Sequence, residues 1–289
     1  MKLNLNHITI CAADCLQPNL AALALKKSMQ ECQFGDAILF SDQEISDSQI
    51  RLTKIDKLNS KDAYSKFILK ELNQHIQTPF ALIIQWDGYV IAPSAWENSF
   101  LNFDYIGAKW PWRHDGISVG NGGFSLRSKK LLGTMASTNF PFLDGVNEDN
   151  QICINYRDRL IAEHSIKIAS EAIADEFSYE RSDPNQQTFG FHGLFNMWRY
   201  TTDEEMVEIA NQLSIHVLLS VECFELLAQY FLMRKFIPLA SIYLRLKKAL
   251  PNQEISAKLM QMTNNQEFVN TMLLVCESLA SNLKSTSTS

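Results

Sequence analysis

Short apolar runs alternate with stretches whose apolar residues recur every three or four positions through the first third of the chain. Residues 7–13 (HITICAA), 37–40 and 80–85 (FALIIQ) are runs of strand length, and residues 50–55 supply a further strand. Such unbroken runs suit strands buried on both faces. Between them, Leu20, Leu23, Ala24 and Lys27 fall at helical spacing over residues 20–32, after a turn at 14–19 with Pro18 placed for a helix start. Tyr64, Phe67, Ile68 and Leu72 share one face of a helix predicted over 60–76, with Ser60 as its N-cap. Strand, helix, strand, strand, helix, strand is the order of an α/β layer with a mostly parallel sheet. Ligands of such sheets sit beyond the carboxyl ends of the strands. That edge receives Asp14, after the first strand, and Trp86-Asp87-Gly88, after the run at 80–85.

The pattern predicts further strands at 105–109, 123–126 and 166–169, and helices at 128–136 and 149–163. It then changes. Ten of the eleven glycines lie between Gly88 and Gly193 and none follows, so shaped loops belong to the middle of the chain and packed helices to its end. Helices are predicted near 203–217, 220–233, 237–249, 253–263 and 266–283. Ala228, Phe231, Phe236, Ala240, Leu244 and Pro251 resemble one tetratricopeptide-type helical hairpin. The closing Ser-Thr-Ser-Thr-Ser is a frayed end.

Charge and cysteine content narrow the function. The formal net charge is −6 and no long Lys/Arg run exists, which removes the basic footprint of a nucleic-acid binder. The six cysteines form no CxxC and are expected as buried free thiols in a reducing cytoplasm. The opening MKLNLNHITI lacks a signal-peptide pattern, and no apolar run reaches the roughly 18 residues of a membrane span. The expectation is a soluble, cytoplasmic protein.

Four places could carry chemistry. Asp87 puts a carboxylate at the sheet's ligand edge, where it can hold a divalent cation or merely close an Asp-Gly turn. Residues 119–128 (VGNGGFSLRS) let backbone N–H groups approach a ligand, or form a plain tight loop; they match neither a P-loop nor a dinucleotide fingerprint. Glu148 and Asp149 open a helix, as general base or as N-terminal charge complement. His192, between Gly190 and Gly193, can approach a metal or phosphate, or pack within its loop.

Six motifs occur in one order: QWDGYV (85–90), DYIGAKWPW (104–112), VGNGGFSLRS, NED (147–149), ADEFSYE (174–180) and FGFHG (189–193). Together they resemble a bacterial glycosyltransferase-like family, catalogued as a domain of unknown function and found in polysaccharide gene clusters. The resemblance covers roughly residues 5–195 and not the helical tail. It implies a GT-A-like (Rossmann-like) mixed sheet flanked by helices over 1–195, followed by an all-α region over 196–289. It also implies a metal-dependent, inverting, hexosyltransferase-like enzyme of surface-polysaccharide assembly. The cofactor is Mn²⁺ or Mg²⁺, the donor a nucleotide sugar (a UDP-sugar foremost), and the acceptor a glycan or lipid-linked glycan. The helical tail offers a place for a peripheral-membrane or protein partner.

The same resemblance distributes roles. Asp87 and His192 fall to the metal, although the Asp-x-Asp of such enzymes is here Trp86-Asp87-Gly88, with one Asp. Ala12, Asp14, Asp87, Gly88, Asn121, Gly122 and Gly123 fall to the donor. Trp110 and Trp112 fall to the acceptor, and Asp149, with Glu148 as the alternative, is the base. The competing expectation is a non-catalytic GT-A-like module that binds a sugar nucleotide or a partner.

Overall fold

A computed structural model describes residues 2–45, 47–184 and 186–286; residues 287–289, part of the expected frayed end, lie outside the described residues. The chain forms two compact units, Met1–His192 and Gly193–Ser289.

In the first unit the apolar runs become β1 (Leu3–Ala13), β2 (Cys32–Ser41), β3 (Arg51–Lys54) and β4 (Phe80–Ile84). All four are parallel, in the order β3-β2-β1-β4. β5 (Tyr105–Ile106) and β6 (Phe124–Ser128) extend the sheet to β3-β2-β1-β4-β6-β5, and β6 is antiparallel to both of its neighbours. The sheet is therefore mixed, as the resemblance implies, and mostly parallel, as the order of its first elements predicts. From β4 the chain passes through short 3₁₀ turns, Pro93–Ala95 and Asn98–Asn102, to β5, and β6 returns antiparallel between β4 and β5.

Helices flank this sheet. α1 (Pro18–Met29) begins at its proline, as the missing N–H of that residue permits. In α2 (Lys61–Lys66) the Ser60 hydroxyl accepts from the Ala63 N–H, and the helix runs on through a π turn, Phe67–Glu71, and a 3₁₀ turn, Leu72–His75. Ser128 caps α3 (Lys129–Ala136) through the Leu131 N–H. The helix predicted over 149–163 is interrupted: α4 (Glu148–Asn150) passes into a π turn, Gln151–Asn155, and α5 (Arg157–His164) starts after Tyr156 leaves helical geometry. The strand predicted at 166–169 is reduced to one bridge between Ile168 and Tyr105.

α6 (Glu171–Phe177) leads into β7 (Ser178–Tyr179), which pairs in parallel with β8 (Gly190–Phe191). Two core clusters bind the layers together. One gathers Cys11, Ile38, Phe40, Phe67, Ile68 and Ile83, the other Tyr105, Trp110, Leu131, Phe140, Ile152 and Leu160. Burying each such side chain contributes about 1.5–3 kcal/mol.

The second unit is helical: α7 (Asp203–Gln212), α8 (Ile215–Leu218), α9 (Val221–Leu232), α10 (Phe236–Ala249), α11 (Asn252–Thr263) and α12 (Gln266–Thr286). The helix expected over 203–217 divides because Ser214 takes an extended conformation and caps α8 through the Val217 N–H. Thr202 and Glu205 form a reciprocal capping box at the start of α7. All six cysteines are free and buried. No helix among the described residues is long and apolar enough to cross a membrane.

Candidate active site

β4 ends at Ile84 and delivers Gln85-Trp86-Asp87-Gly88 to the carboxyl edge of the sheet. There the Gln85 N–H donates to the Gly123 carbonyl at 2.8 Å, and the Gly88 N–H to the Gln85 carbonyl at 3.1 Å. On the other side, β7 and β8 pair Ser178 with Gly190 and Tyr179 with Phe191. Continuing that parallel register by one residue sets Glu180 beside His192. The imidazole Nδ1 lies 3.0 Å from Glu180 Oε1, while Nε2 lies 3.3 Å from Asp87 Oδ1 and 3.1 Å from Gln85 Oε1. Asp87 and His192 thus meet across 105 positions of sequence.

Burial alone would lower the affinity of His192 for its second proton. The charge and hydrogen bond of Asp87, joined by Glu180, override it and hold the ring's pKa up to about 10. At neutral pH the ring is an imidazolium that donates to a carboxylate on either side.

The loop before β6 fits around this ring. Asn121 takes a left-handed conformation, φ 56°, and its amide nitrogen lies 3.3 Å from His192 Nδ1. Its amide oxygen is buried without a hydrogen-bond partner among the described residues. A Cβ on Gly123 would collide with the His192 ring, and one on Gly122 with the Glu148 carboxylate. Gly123→Ala is therefore expected to displace His192 or lose about 1–3 kcal/mol to overpacking. Urea unfolding together with the NMR shifts of the imidazole measures which.

The acidic pair separates at the start of α4. Glu148 turns inward: Arg127 Nη2 donates to its Oε1 at 3.2 Å and Ser65 Oγ contacts its Oε2 at 3.4 Å, with both charged side chains buried. Asp149 is half-buried and turns to the glycine loop, where Oδ2 accepts from the Gly122 N–H at 3.3 Å and Oδ1 from the Asn150 N–H at 2.7 Å. Burial, then the charge of Glu148, push its pKa up to about 6, against the opposing pull of these N–H groups and Arg127.

The remaining predicted residues are placed as follows. Asp14 follows β1, and its Oδ1 accepts from the N–H groups of Leu16 and Gln17, both at 2.7 Å, which shapes the entry to α1. Its pKa is raised by burial, and Asp87 adds to the rise, so the two carboxylates share one edge. Ala12 is buried within β1, paired with Leu39 of β2. Gly88 packs against the Phe191 carbonyl. Trp110 is 5% exposed, packed on Gly120 in the core, and its faces are not open to an acceptor, whereas Trp112 is 59% exposed. Gln85, Arg127 and Glu180 stand in this constellation although the sequence reading singled out none of them. Each lies inside a motif quoted above, and no periodicity marks residues that follow a two-residue strand.

A divalent cation has partial provision here. Among the described residues no three His, Cys, Asp or Glu side chains cluster to hold one. Asp87 Oδ1 and Gln85 Oε1 do, however, stand 3.3 and 3.1 Å from His192 Nε2, near the spacing of adjacent ligands around an ion bound at about 2.0–2.3 Å. Glu180 on Nδ1 stands where a carboxylate would orient the imidazole if it bound a metal. The two oxygens and one nitrogen would take a divalent ion only once the His192 proton leaves.

A family model described as "Protein of unknown function (DUF5672)" matches residues 47–192. No curated protein matches the sequence. Among solved structures, the mannosyltransferase PcManGT from Pyrobaculum calidifontis, in complex with GDP-Man and Mn²⁺, is similar at 11% identity and TM-score 0.43, over 95% of this chain and 86% of that one. A glycosyltransferase involved in the glycosylation of the major capsid of PBCV-1 is similar at 14% identity and TM-score 0.41, over 64% and 91% of the two chains. S. aureus TarS 1–349, in complex with UDP-GlcNAc, is similar at 11% identity and TM-score 0.37, over 99% and 92%. These are distant likenesses, and the chemistry rests on the site's own residues.

Proposed function

The chain belongs to the DUF5672 family, and from that premise we propose that its sheet-edge site transfers a sugar from a nucleotide-sugar donor to a glycan hydroxyl. One observation carries the reading: Asp87, Gln85 and His192 converge against a glycine loop, and that loop also touches a half-buried carboxylate, Asp149, whose pKa is raised to about 6. Transfer breaks the bond between the anomeric carbon and the diphosphate and forms one to the acceptor oxygen. Negative charge develops on the diphosphate, and the acceptor hydroxyl must give up its proton. Positive charge is needed at the first place and a base at the second.

Asp149 is the base. Its partial exposure, its contact with the Gly122 N–H and its pKa of about 6 leave it ionised at pH 7 yet basic enough to accept a proton. Glu148 is withdrawn into its ion pair with Arg127. Asn121, Gly122 and Gly123 shape the sugar pocket, Asp14 lies toward the nucleoside, and exposed Trp112 offers a face for the acceptor. Asp87 and His192, with the Gln85 amide oxygen, would hold Mn²⁺ or Mg²⁺. When bound, the ion would neutralise charge on the leaving diphosphate. Because it competes with the His192 proton, its affinity should rise with pH. The reaction is inverting, and the acceptor is a glycan or lipid-linked glycan of a bacterial surface polysaccharide.

A second reading, a non-catalytic sugar-nucleotide-binding module, draws on the single Asp after β4 and on the lack of a three-residue His, Cys, Asp or Glu cluster among the described residues. Binding is common ground, so it is tested first. A thermal-shift screen of nucleotide sugars with and without Mn²⁺ should find one that stabilises the chain, by about 2.7 kcal/mol at roughly 100 times its Kd. No shift with any nucleotide sugar, with or without metal, contradicts both readings.

A further inference from the structure

The α9–α10 hairpin of the helical unit ends in an apolar tip. Leu232 and Met233 close α9, Phe236 and Ile237 open α10, and these side chains are 54, 48, 40 and 60% exposed. A single exposed apolar residue is ordinary, but four within six positions at one turn form a patch. The turn itself is well built. Arg234 N–H donates to the Phe231 carbonyl at 3.1 Å and Lys235 N–H to the Tyr230 carbonyl at 2.9 Å. Arg234 has φ 55°, at the helix-terminating position where glycine is normal. Arginine there strains the backbone, and it sets a guanidinium at the tip.

More cations and an indole gather beside it. Lys235 Nζ donates to the Trp198 carbonyl at 3.1 Å, and the Arg199 guanidinium lies 4.6 Å above the Trp198 ring. The turn and its flanks, residues 230–240, contain no Asp or Glu, and the acids that follow Thr202 (Asp203, Glu204 and Glu205) open α7. The tip thus combines apolar side chains, a tryptophan and three basic residues. That is the composition of a surface lying in the headgroup layer of an anionic membrane, where apolar groups reach the acyl boundary, indole sits at the interface and cations face phosphate.

We propose that this tip seats the protein on an anionic lipid bilayer, with Leu232, Met233, Phe236 and Ile237 inserted at the headgroup boundary and Arg199, Arg234 and Lys235 facing lipid phosphates. Attachment is peripheral, since no helix among the described residues can span the bilayer. A second copy on the same patch is the poorer occupant, because a two-fold contact would bring like cations together. The inference is independent of turnover at the sheet-edge site.

Co-sedimentation of the full chain with vesicles of phosphatidylcholine alone, or mixed with phosphatidylglycerol, tests it. Binding is expected to the anionic vesicles, and salt should weaken it. Ile237→Glu should lower it by at least about tenfold. Arg234→Gly suits φ 55° and should leave the fold as stable or more so, yet weaken vesicle binding about fivefold. That split separates a lipid contact from a structural role. The proposal is overturned if the wild-type chain ignores anionic vesicles at low salt, or if both variants bind as well as it does. It is equally overturned if Ile237→Glu only dissolves a dimer of a chain that binds no vesicle.

Discussion

Asp149→Asn should lower sugar transfer by about 10²- to 10⁴-fold while leaving donor binding close to that of the wild type. In the proposed assignment the nucleotide edge and the Asp87–His192 pair hold the nucleoside diphosphate, and Asp149 meets the donor side only through the Gly122 N–H of the sugar loop, its other partner being the Asn150 N–H. Its pH dependence follows from the direction of its shift. Burial and Glu148 raise the carboxyl from an ordinary 3.8 to about 6, and a base works only when ionised. The transfer rate should be flat above that value and fall about tenfold per unit below it. Initial rates between pH 5 and 8 check this. In stability the same shift has the opposite sense. A folded pKa above the unfolded one favours the fold at low pH, so this group's contribution is lost as pH rises from about 4 to about 6.

The second large effect is on stability. Arg127 and Glu148 form an ion pair with both side chains withdrawn from water. Arg127 also donates from Nε to Ser125 Oγ at 3.1 Å and lies over the Tyr105 ring at 5.2 Å. Removing one member leaves the other charged and buried. Arg127→Met is therefore expected to cost about 3–5 kcal/mol, and the double variant with Glu148→Leu to cost clearly less than the two single changes added together. A urea-unfolding double-mutant cycle measures the coupling. Glu148→Gln should weaken the fold while Asp149→Asn should chiefly weaken transfer, so the adjacent acids are told apart by which quantity each one moves.

Those two acids also mark how far the sequence could be read. Neighbours on a helix point about 100° apart, so although both carboxylates reach Gly122, one of the pair had to be drawn further inward. Only the place of Arg127, one strand over, decides that it is Glu148. The long apolar runs were legible because burial on both faces leaves them no polar positions, and β1 and β4 with the edge after them were readable for that reason. The resemblance, rather than any spacing, brought Asp87 and His192 to one place, and they stand 3.3 Å apart. The direction of β6 was not legible, since it depends on the loop after β5 bringing the chain back between β4 and β5. Neither were β7 and β8, whose two-residue lengths carry no periodicity and yet set Glu180 against His192. Trp110 and Trp112 look alike as aromatic residues in a loop. Only the packing of Trp110 on Gly120 sends one inward and leaves the other exposed.

Turnover of a nucleotide sugar at the sheet edge that carries Asp87, His192 and the Asp149 loop is measured by release of nucleoside diphosphate from a panel of nucleotide sugars, with Mn²⁺ and glycan acceptors present, followed by chromatography. The wild-type chain should release diphosphate from at least one donor, coupled to a glycosylated acceptor, and Asp149→Asn should nearly abolish that release. A wild-type chain that binds a nucleotide sugar but releases no diphosphate from it, whatever the acceptor or metal, is a binding module and not a transferase.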